Sequence, residues 1–114
     1  MHELGVVFTV LDKIEEVGKE NDLKEVKTVV LEIGEVSAII DEYLLDCWKW
    51  AAAKRELTKA AELKIEQIPA VTYCEDCKQT YKTVEFGKIC PHCQSEQTYL
   101  LQGNEFKIKE IEAY

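Results

Sequence analysis

Four cysteines in the second half of the chain carry its clearest chemical signal. They are spaced as Cys74-x2-Cys77-x12-Cys90-x2-Cys93. Two residues between paired cysteines allow both sulfurs to converge on one ion, so two such pairs supply the four thiolates of a closed tetrahedral zinc site. The sequence therefore predicts a structural zinc site at these four residues.

An iron site of the rubredoxin type uses the same four ligands and is the first alternative for this cluster. It is disfavoured because the glycines that commonly follow each cysteine pair in such proteins are replaced by Lys78 and Gln94. His92 lies within the second pair and is interpreted as a solvated side chain rather than a ligand. The fifth cysteine, Cys47, is predicted to pack as a small apolar residue.

The start of the chain, Met1-His2-Glu3, offers a second set of metal-binding groups. The Met1 α-amine, the His2 backbone nitrogen and the His2 imidazole can surround one ion in fused chelate rings, and the Glu3 amide or carboxylate completes a fourth position. Such nitrogen-rich planar coordination suits Ni(II) or Cu(II). Affinity would fall at low pH, since the nitrogens must lose their protons. Alone the motif is weak, because a histidine at position 2 is usually part of a frayed terminus.

Two amphipathic helices are predicted to position these groups. The first carries apolar residues at helical spacing, and the second is predicted to begin at a capping Asp41. The predicted buried residues of the first helix are Leu4, Val7, Phe8, Leu11, Ile14 and Val17. Those of the second helix are Tyr43, Leu44, Cys47, Trp48, Ala51 and Ala52.

The β-branched and alternating segments predict three strands, at residues 26–33, 62–68 and 105–112, with a turn at 34–37. We expect an α+β fold in which a small mixed three-stranded sheet is packed by two helices. The cysteine-rich segment has few large aliphatic residues, so its fold should depend on metal. It is predicted to be an inserted zinc-ribbon domain, after which the last strand returns to the first sheet.

The predicted domain organisation follows from this composition change near residue 70. Residues 1–69 plus 103–114 are expected to form one α/β domain, and residues 70–102 a second domain that binds zinc. No apolar run approaches the ~20 residues that span a bilayer, and the acidic start lacks the pattern of a signal peptide. These observations favour a cytoplasmic location. In a reducing cytoplasm, paired Cys-x2-Cys units are metal ligands more often than disulfides.

Charge and motif content limit the classes of function. The net charge is −8, from 14 basic against 22 acidic residues, which disfavours nucleic-acid binding. We find no Gly-rich phosphate loop and no nucleophile with a matching histidine, so catalysis is not expected. The alternative function is a zinc-ribbon adaptor for a protein or nucleic-acid complex. Such a ribbon should present a basic face, whereas residues 71–102 mix Lys78, Lys82 and Lys88 with Glu75, Asp76, Glu85 and Glu96.

Several motifs in this order resemble one known family. They are Met1-His2-Glu3, Ile33-Gly34-Glu35-Val36-Ser37, Ala61-Glu62-Leu63, Cys74-x2-Cys77 and Cys90-Pro91-x-Cys93. The chain resembles the HypA/HybF family of nickel metallochaperones over essentially its whole length. The resemblance implies Ni(II) as transient cargo, with delivery to the maturing large subunit of [NiFe] hydrogenase and, in some organisms, to urease. It also implies a nickel-handling GTPase as partner. In the resemblance, residues 1–69 plus 103–114 correspond to an α/β nickel-binding domain and residues 70–102 to a zinc-ribbon domain.

Carried onto this sequence, the resemblance implies ligands for both metals. Nickel would be bound by His2, the Met1 amine and Glu3, with Asp41 as the nearest candidate for an acidic residue that follows the Gly-Glu-x-Ser turn in some members. Zinc would be bound by the four cysteines. No residue would be catalytic.

Overall fold

The computed structural model describes residues 3–114. The chain forms two compact units, each made of several separate segments of the sequence. The first unit takes the residues up to Glu32, Ala38–Glu66 and Lys107–Tyr114, and the second takes Ile33–Ser37 and Gln67–Phe106. The elements are, in chain order, α1 (Glu3–Glu20), β1 (Val26–Gly34), α2 (Asp41–Ala52), β2 (Glu62–Ile68), β3 (Val71–Cys74), β4 (Thr80–Lys82), α3 (Thr83–Phe86), β5 (Thr98–Gln102) and β6 (Phe106–Ala113).

The first unit contains two packed helices and a three-stranded sheet of order β2-β1-β6. β-branched and aliphatic residues make β1 a central strand, and Val29 and Leu31 are almost fully buried. The expected α+β fold, with two helices on a three-stranded sheet, is confirmed. The last strand returns to this sheet, as predicted for a chain with an inserted ribbon.

The helices bury faces that differ slightly from the predicted ones. In α1 the buried side chains include Val6 and Val10, whereas Phe8 remains 38% exposed. In α2 Tyr43 is 56% exposed, so its predicted burial is wrong, and Cys47 is only partly buried. The predictions for Phe8 and Tyr43 failed for the same reason. An apolar side chain at the edge of the stripe fits the 3.6-residue period without reaching the core.

The predicted cap of α2 is also wrong. The residue at the N-cap position is Ile40, with extended backbone angles and no side-chain cap bond, and Asp41 is the first helical residue. Acidic residues still suit this place, since Asp41 and Glu42 lie in the first turn, where the helix dipole favours negative charge.

The second unit contains the cysteine-rich segment and a three-stranded sheet of order β4-β3-β5. β3 pairs antiparallel with both neighbours, with Thr72 opposite Tyr81 and Tyr73 opposite Tyr99. The buried cluster described for this unit consists of Cys74, Tyr81 and Cys90, with Cys77 packed against it. Thiols make up most of this core, as expected of a fold that depends on metal.

Segment Ile33–Ser37 belongs to the second unit although it lies far from the cysteines in sequence. The Val36 amide donates to the Gly103 carbonyl at 2.8 Å, and the Ala70 amide donates to Glu35 Oε1 at 2.8 Å. Gly34 is required by this close packing, since an added Cβ would lie 2.0 Å from the Gly103 oxygen. The turn predicted at 34–37 is therefore a structural part of this unit. None of the described helices is long and apolar enough to cross a membrane.

Candidate metal centre

The four cysteines predicted as zinc ligands come together at one point. Their Sγ atoms all lie within 4.8 Å of one another. Cys74 Sγ is 3.6 Å from Cys93 Sγ, and Cys77 Sγ is 3.6 Å from Cys90 Sγ. A tetrahedral zinc with Zn–S bonds of about 2.3 Å would hold its sulfurs about 3.8 Å apart. The arrangement therefore fits zinc with all four positions filled by thiolate.

Each cysteine pair lies in a turn of the same construction. The amides of Lys78 and Gln94 donate to the carbonyls of Cys74 and Cys90, both at 2.9 Å. Lys78 and Gln94 have φ of 60° and 65°, the left-handed region that side chains other than glycine rarely adopt. At these two positions the iron proteins of the rubredoxin type commonly have glycine. Both turns keep this geometry although neither position holds a glycine, so the backbone is strained at Lys78 and Gln94.

The surroundings of the sulfurs favour thiolate at one cysteine and thiol at others. A hydrogen bond from the Cys77 amide lowers the pKa of Cys74 to about 7. Burial raises the pKa of Cys77 to about 12. The Ser95 amide favours the Cys93 thiolate, but burial and the hydrogen bond that the Cys93 thiol makes with Cys74 outweigh it, so the pKa of Cys93 is raised. A bound cation must therefore displace protons at neutral pH.

Polar contacts around the cluster were not anticipated from the sequence. The Ser95 hydroxyl donates a short hydrogen bond to Asp76, which links the second cysteine pair to the first. The His92 amide donates to Cys90 Sγ at 3.4 Å, whereas the His92 side chain is exposed and outside the set of ligand atoms. Cys47 likewise lies outside the cluster. The one sequence feature that could have indicated these contacts is Ser95, which lies two residues after Cys93 and so close to the cluster.

Of the predicted nickel-binding residues, Met1 and His2 lie outside the described residues. Glu3 begins α1, and its Oε2 accepts a hydrogen bond from the Ile40 amide at 3.4 Å. That contact places the Glu3 carboxylate at the start of α2, beside Asp41. Asp41 Oδ1 is buried and has no hydrogen-bond partner among the described residues. A buried carboxylate oxygen without a partner is costly, and a bound cation is one way to satisfy it.

The fold and the cysteine cluster define a metal-binding protein in which a zinc-ribbon-like unit is inserted into a small α+β unit. The chain belongs to the HypA family, because residues 1–113 match the family model described as "Hydrogenase/urease nickel incorporation, metallochaperone, hypA". The family resemblance noted from the sequence motifs is confirmed.

Similar proteins support this membership over the full length. The chain is 33% identical over 112 residues to hydrogenase maturation factor HypA of Dechloromonas aromatica (strain RCB), with 98% of each chain covered. It is 29% identical over 112 residues to hydrogenase maturation factor HybF of Klebsiella pneumoniae, again with 98% of each covered. The solution structure of the Ni metallochaperone HypA from Helicobacter pylori matches with a TM-score of 0.74 and 28% identity, covering 99% of this chain and 97% of that one. These relatives are named as maturation factors or metallochaperones rather than enzymes.

Proposed function

We propose that this chain is a nickel metallochaperone that binds Ni(II) through the Met1 α-amine, His2, Glu3 and Asp41. The main support for this proposal is family membership, since the description of the family model names nickel incorporation. The buried, unpartnered Asp41 Oδ1 supports it independently, because this oxygen lies at the end of α2 that the Glu3 carboxylate contacts. An incoming cation would supply the missing partner.

The chemistry of these groups suits a cargo that must be released. An amine, a deprotonated amide and a neutral imidazole suit Ni(II) or Cu(II) and not the ions that prefer oxygen ligands, such as Mg(II) and Ca(II). Protons compete with nickel for these nitrogens, so acidification would release the metal, as would a competing set of ligands. Ligands at a chain end can also detach one at a time, which favours transfer to a recipient.

Zinc at Cys74, Cys77, Cys90 and Cys93 is proposed as the resident, structural metal. All four positions would be filled by protein thiolates, and no open position would remain for cargo or for a metal-bound water. We accordingly propose a nickel-binding domain of residues 1–69 plus 103–114 and a zinc-ribbon domain of residues 70–102.

The recipient is proposed to be the precursor of the [NiFe] hydrogenase large subunit and, in some organisms, the urease maturation system. Hydrogenase maturation is the role named for relatives such as those of Dechloromonas aromatica and Klebsiella pneumoniae. A nickel-handling GTPase of the same pathway is the proposed partner in this transfer, and the cytoplasm its location. No bond-making step is assigned to the chain.

Calorimetric titration of untagged, zinc-loaded protein with Ni(II) tests the proposal. We expect about one tight nickel equivalent in the parent protein, and loss of tight binding in His2→Ala with zinc content and circular dichroism unchanged. Asp41→Asn should weaken binding less, since the asparagine amide keeps an oxygen at this position whereas alanine at position 2 has no ligand atom in its side chain. Unchanged nickel affinity in His2→Ala would refute the amino-terminal site.

A further inference from the structure

The four cysteines of the cluster differ in how deeply they are buried. Cys74 and Cys90 are fully buried. Cys77 is partly buried, whereas Cys93 is exposed. A chelator or an alkylating reagent can approach an exposed sulfur without any prior opening of the fold. The hold of Cys93 on a metal ion therefore depends most on the residues beside it.

The turn that carries Cys93 is closed by backbone hydrogen bonds and ends at Ser95. The Gln94 amide donates to the Cys90 carbonyl at 2.9 Å, and the Cys90 amide donates to the Ser95 carbonyl at 3.0 Å. The Ser95 amide in turn favours the Cys93 thiolate. Ser95 is thus a fixed part of this turn, and its position and that of the Cys93 sulfur are coupled.

The side chain of Ser95 joins this turn to the first cysteine turn. Its hydroxyl donates to an Asp76 carboxylate oxygen and accepts a hydrogen bond from the Gln97 amide at 3.0 Å. Asp76 lies two residues after Cys74, as Ser95 lies two residues after Cys93, and the Asp76 amide favours the Cys74 thiolate. The Sγ atoms of Cys74 and Cys93 are 3.6 Å apart. The bond between the two side chains therefore joins the residues whose amides serve these two neighbouring sulfurs.

We propose that Asp76 and Ser95 are positioning residues that hold Cys93 in the metal shell, and that the site opens by detachment of Cys93 first. A hydrogen bond from a hydroxyl to a carboxylate is stronger than one between neutral groups. Outer partners of this kind orient metal ligands and affect how firmly the metal is held. The inference rests on the proposed zinc role of the four cysteines. It goes beyond that role because it gives the order in which the ligands detach.

The rest of the ribbon unit does not depend on the Asp76–Ser95 hydrogen bond. The Glu75 amide donates to the Gln97 carbonyl at 2.9 Å, so a backbone connection between the two turns remains when the Ser95 hydroxyl is removed. The bonds that close the second turn also come from backbone groups. Variants at Asp76 and Ser95 should therefore fold and bind zinc, and the difference should lie in the rate of zinc release.

A set of matched variants isolates this one hydrogen bond. Ser95→Ala removes the donor, and Asp76→Ala removes the acceptor. Ser95→Thr keeps a hydroxyl at the same position. Glu75→Ala removes a negative charge from the same turn and leaves the Asp76–Ser95 pair in place, so it controls for electrostatics.

The first measurement is the rate at which zinc-loaded protein loses its metal to an excess of the chromogenic chelator pyridylazoresorcinol. Ser95→Ala and Asp76→Ala should each release zinc about fivefold faster than the parent. Ser95→Thr and Glu75→Ala should stay near the parental rate. The double variant Asp76→Ala/Ser95→Ala should also be about fivefold faster, because either single change already removes the bond. Parental rates in the single variants, or independent effects that multiply to about 25-fold, would overturn the inference.

The second measurement identifies the sulfur that detaches first. Zinc-loaded protein in a Cys47→Ser background is treated with N-ethylmaleimide, and mass spectrometry locates the modified residue. Cys93 should be the first of the four to react, and Ser95→Ala should speed its modification by the same factor as zinc release. A general loosening of the ribbon would instead raise the reactivity of all four cysteines together. That result, or first modification at any other cysteine of the cluster, would overturn the inference.

The inference and the proposed function fail in different ways. If the parent protein retains no zinc after dialysis, the structural zinc site is wrong and the inference falls with it. If the parent retains zinc and Ser95→Ala matches it in release rate, the inference alone is wrong. The nickel site proposed at the amino terminus is unaffected by either result.

Discussion

The cysteine cluster and the nickel site proposed at the start of α2 differ in how their candidate ligands come together. All four sulfurs come from two short turns of one construction, within 20 residues of sequence, and Cys74 and Cys90 are fully buried. Glu3 and Asp41 come from two different helices, and the Glu3 carboxylate accepts a hydrogen bond from the amide of Ile40, the residue before Asp41. A site built from local turns and closed by four thiolates retains its metal. One assembled from distant residues and a chain end is suited to exchange.

The largest test of this contrast is removal of one thiolate from the closed site. Cys74→Ser should reduce bound zinc from about one ion per chain to near zero, because the ligand set and the folding of the segment are coupled. Limited proteolysis within residues 67–106 should then become rapid. Cys47→Ser makes the same chemical change outside the cluster and should retain zinc. Equal zinc content in the two variants would mean that Cys74 is no more important for zinc binding than Cys47.

Gly34→Ala tests whether the ribbon unit depends on its one distant segment. The added Cβ would meet the Gly103 oxygen at 2.0 Å and the Asn104 nitrogen at 2.4 Å, both backbone atoms. We expect a loss of about 3 kcal/mol in the free energy of unfolding, measured in denaturant at fixed zinc concentration. Gly87→Ala is the control, since its Cβ would meet nothing within 4 Å and only its φ of 64° adds strain. That variant should lose about 1 kcal/mol.

The pH dependence of zinc affinity sharpens the account of the thiols. The raised pKa values of Cys77, about 12, and Cys93 mean that both hold protons near pH 8 in the metal-free protein. Zinc must expel at least these two protons, so its apparent association constant should rise at least about a hundredfold per pH unit between pH 7.5 and 8.5. Below pH 7 the Cys74 thiolate also gains a proton, and the dependence should steepen. Competition with a chelator measures this slope, and a flat profile would contradict the assigned protonation.

The smallest expected effect concerns strain in the two turns. Lys78 adopts a φ of 60°, so Lys78→Gly should relieve strain and stabilise the zinc-loaded protein by about 0.5–1 kcal/mol, after the entropic cost of glycine is subtracted. Lys82→Gly is the same substitution at an ordinary backbone position, with a φ of −75°, and should destabilise the protein instead. Denaturant midpoints of the two variants should therefore move in opposite directions. Parallel shifts would mean that the turn stores no strain.

The features that could be predicted from the sequence are those that depend on local pattern. The spacing of Cys74, Cys77, Cys90 and Cys93 predicted one cluster, and β1, β2 and β6 begin and end within a residue or two of their predicted bounds. The absence of glycine at Lys78 and Gln94 was noted from the sequence, but its consequence, backbone strain in both turns, required the observed angles.

Features that depend on contacts between distant residues were not predicted. Phe8 and Tyr43 fit the helical period yet remain exposed, because periodicity does not define how wide the covered face is. Asp41 looked like a cap, but the acceptor for this end of α2 is Glu3, from another helix. No local signal marks such a pairing.

The central claim is that one chain holds two metals in separate sites, zinc among thiolates and nickel among amino-terminal nitrogens. X-ray absorption of zinc-loaded protein with one equivalent of Ni(II) tests it most directly. We predict four sulfurs at about 2.3 Å around zinc, before and after nickel is added, and only nitrogen and oxygen ligands around nickel. Sulfur in the nickel shell, or loss of sulfur from the zinc shell, would contradict the account.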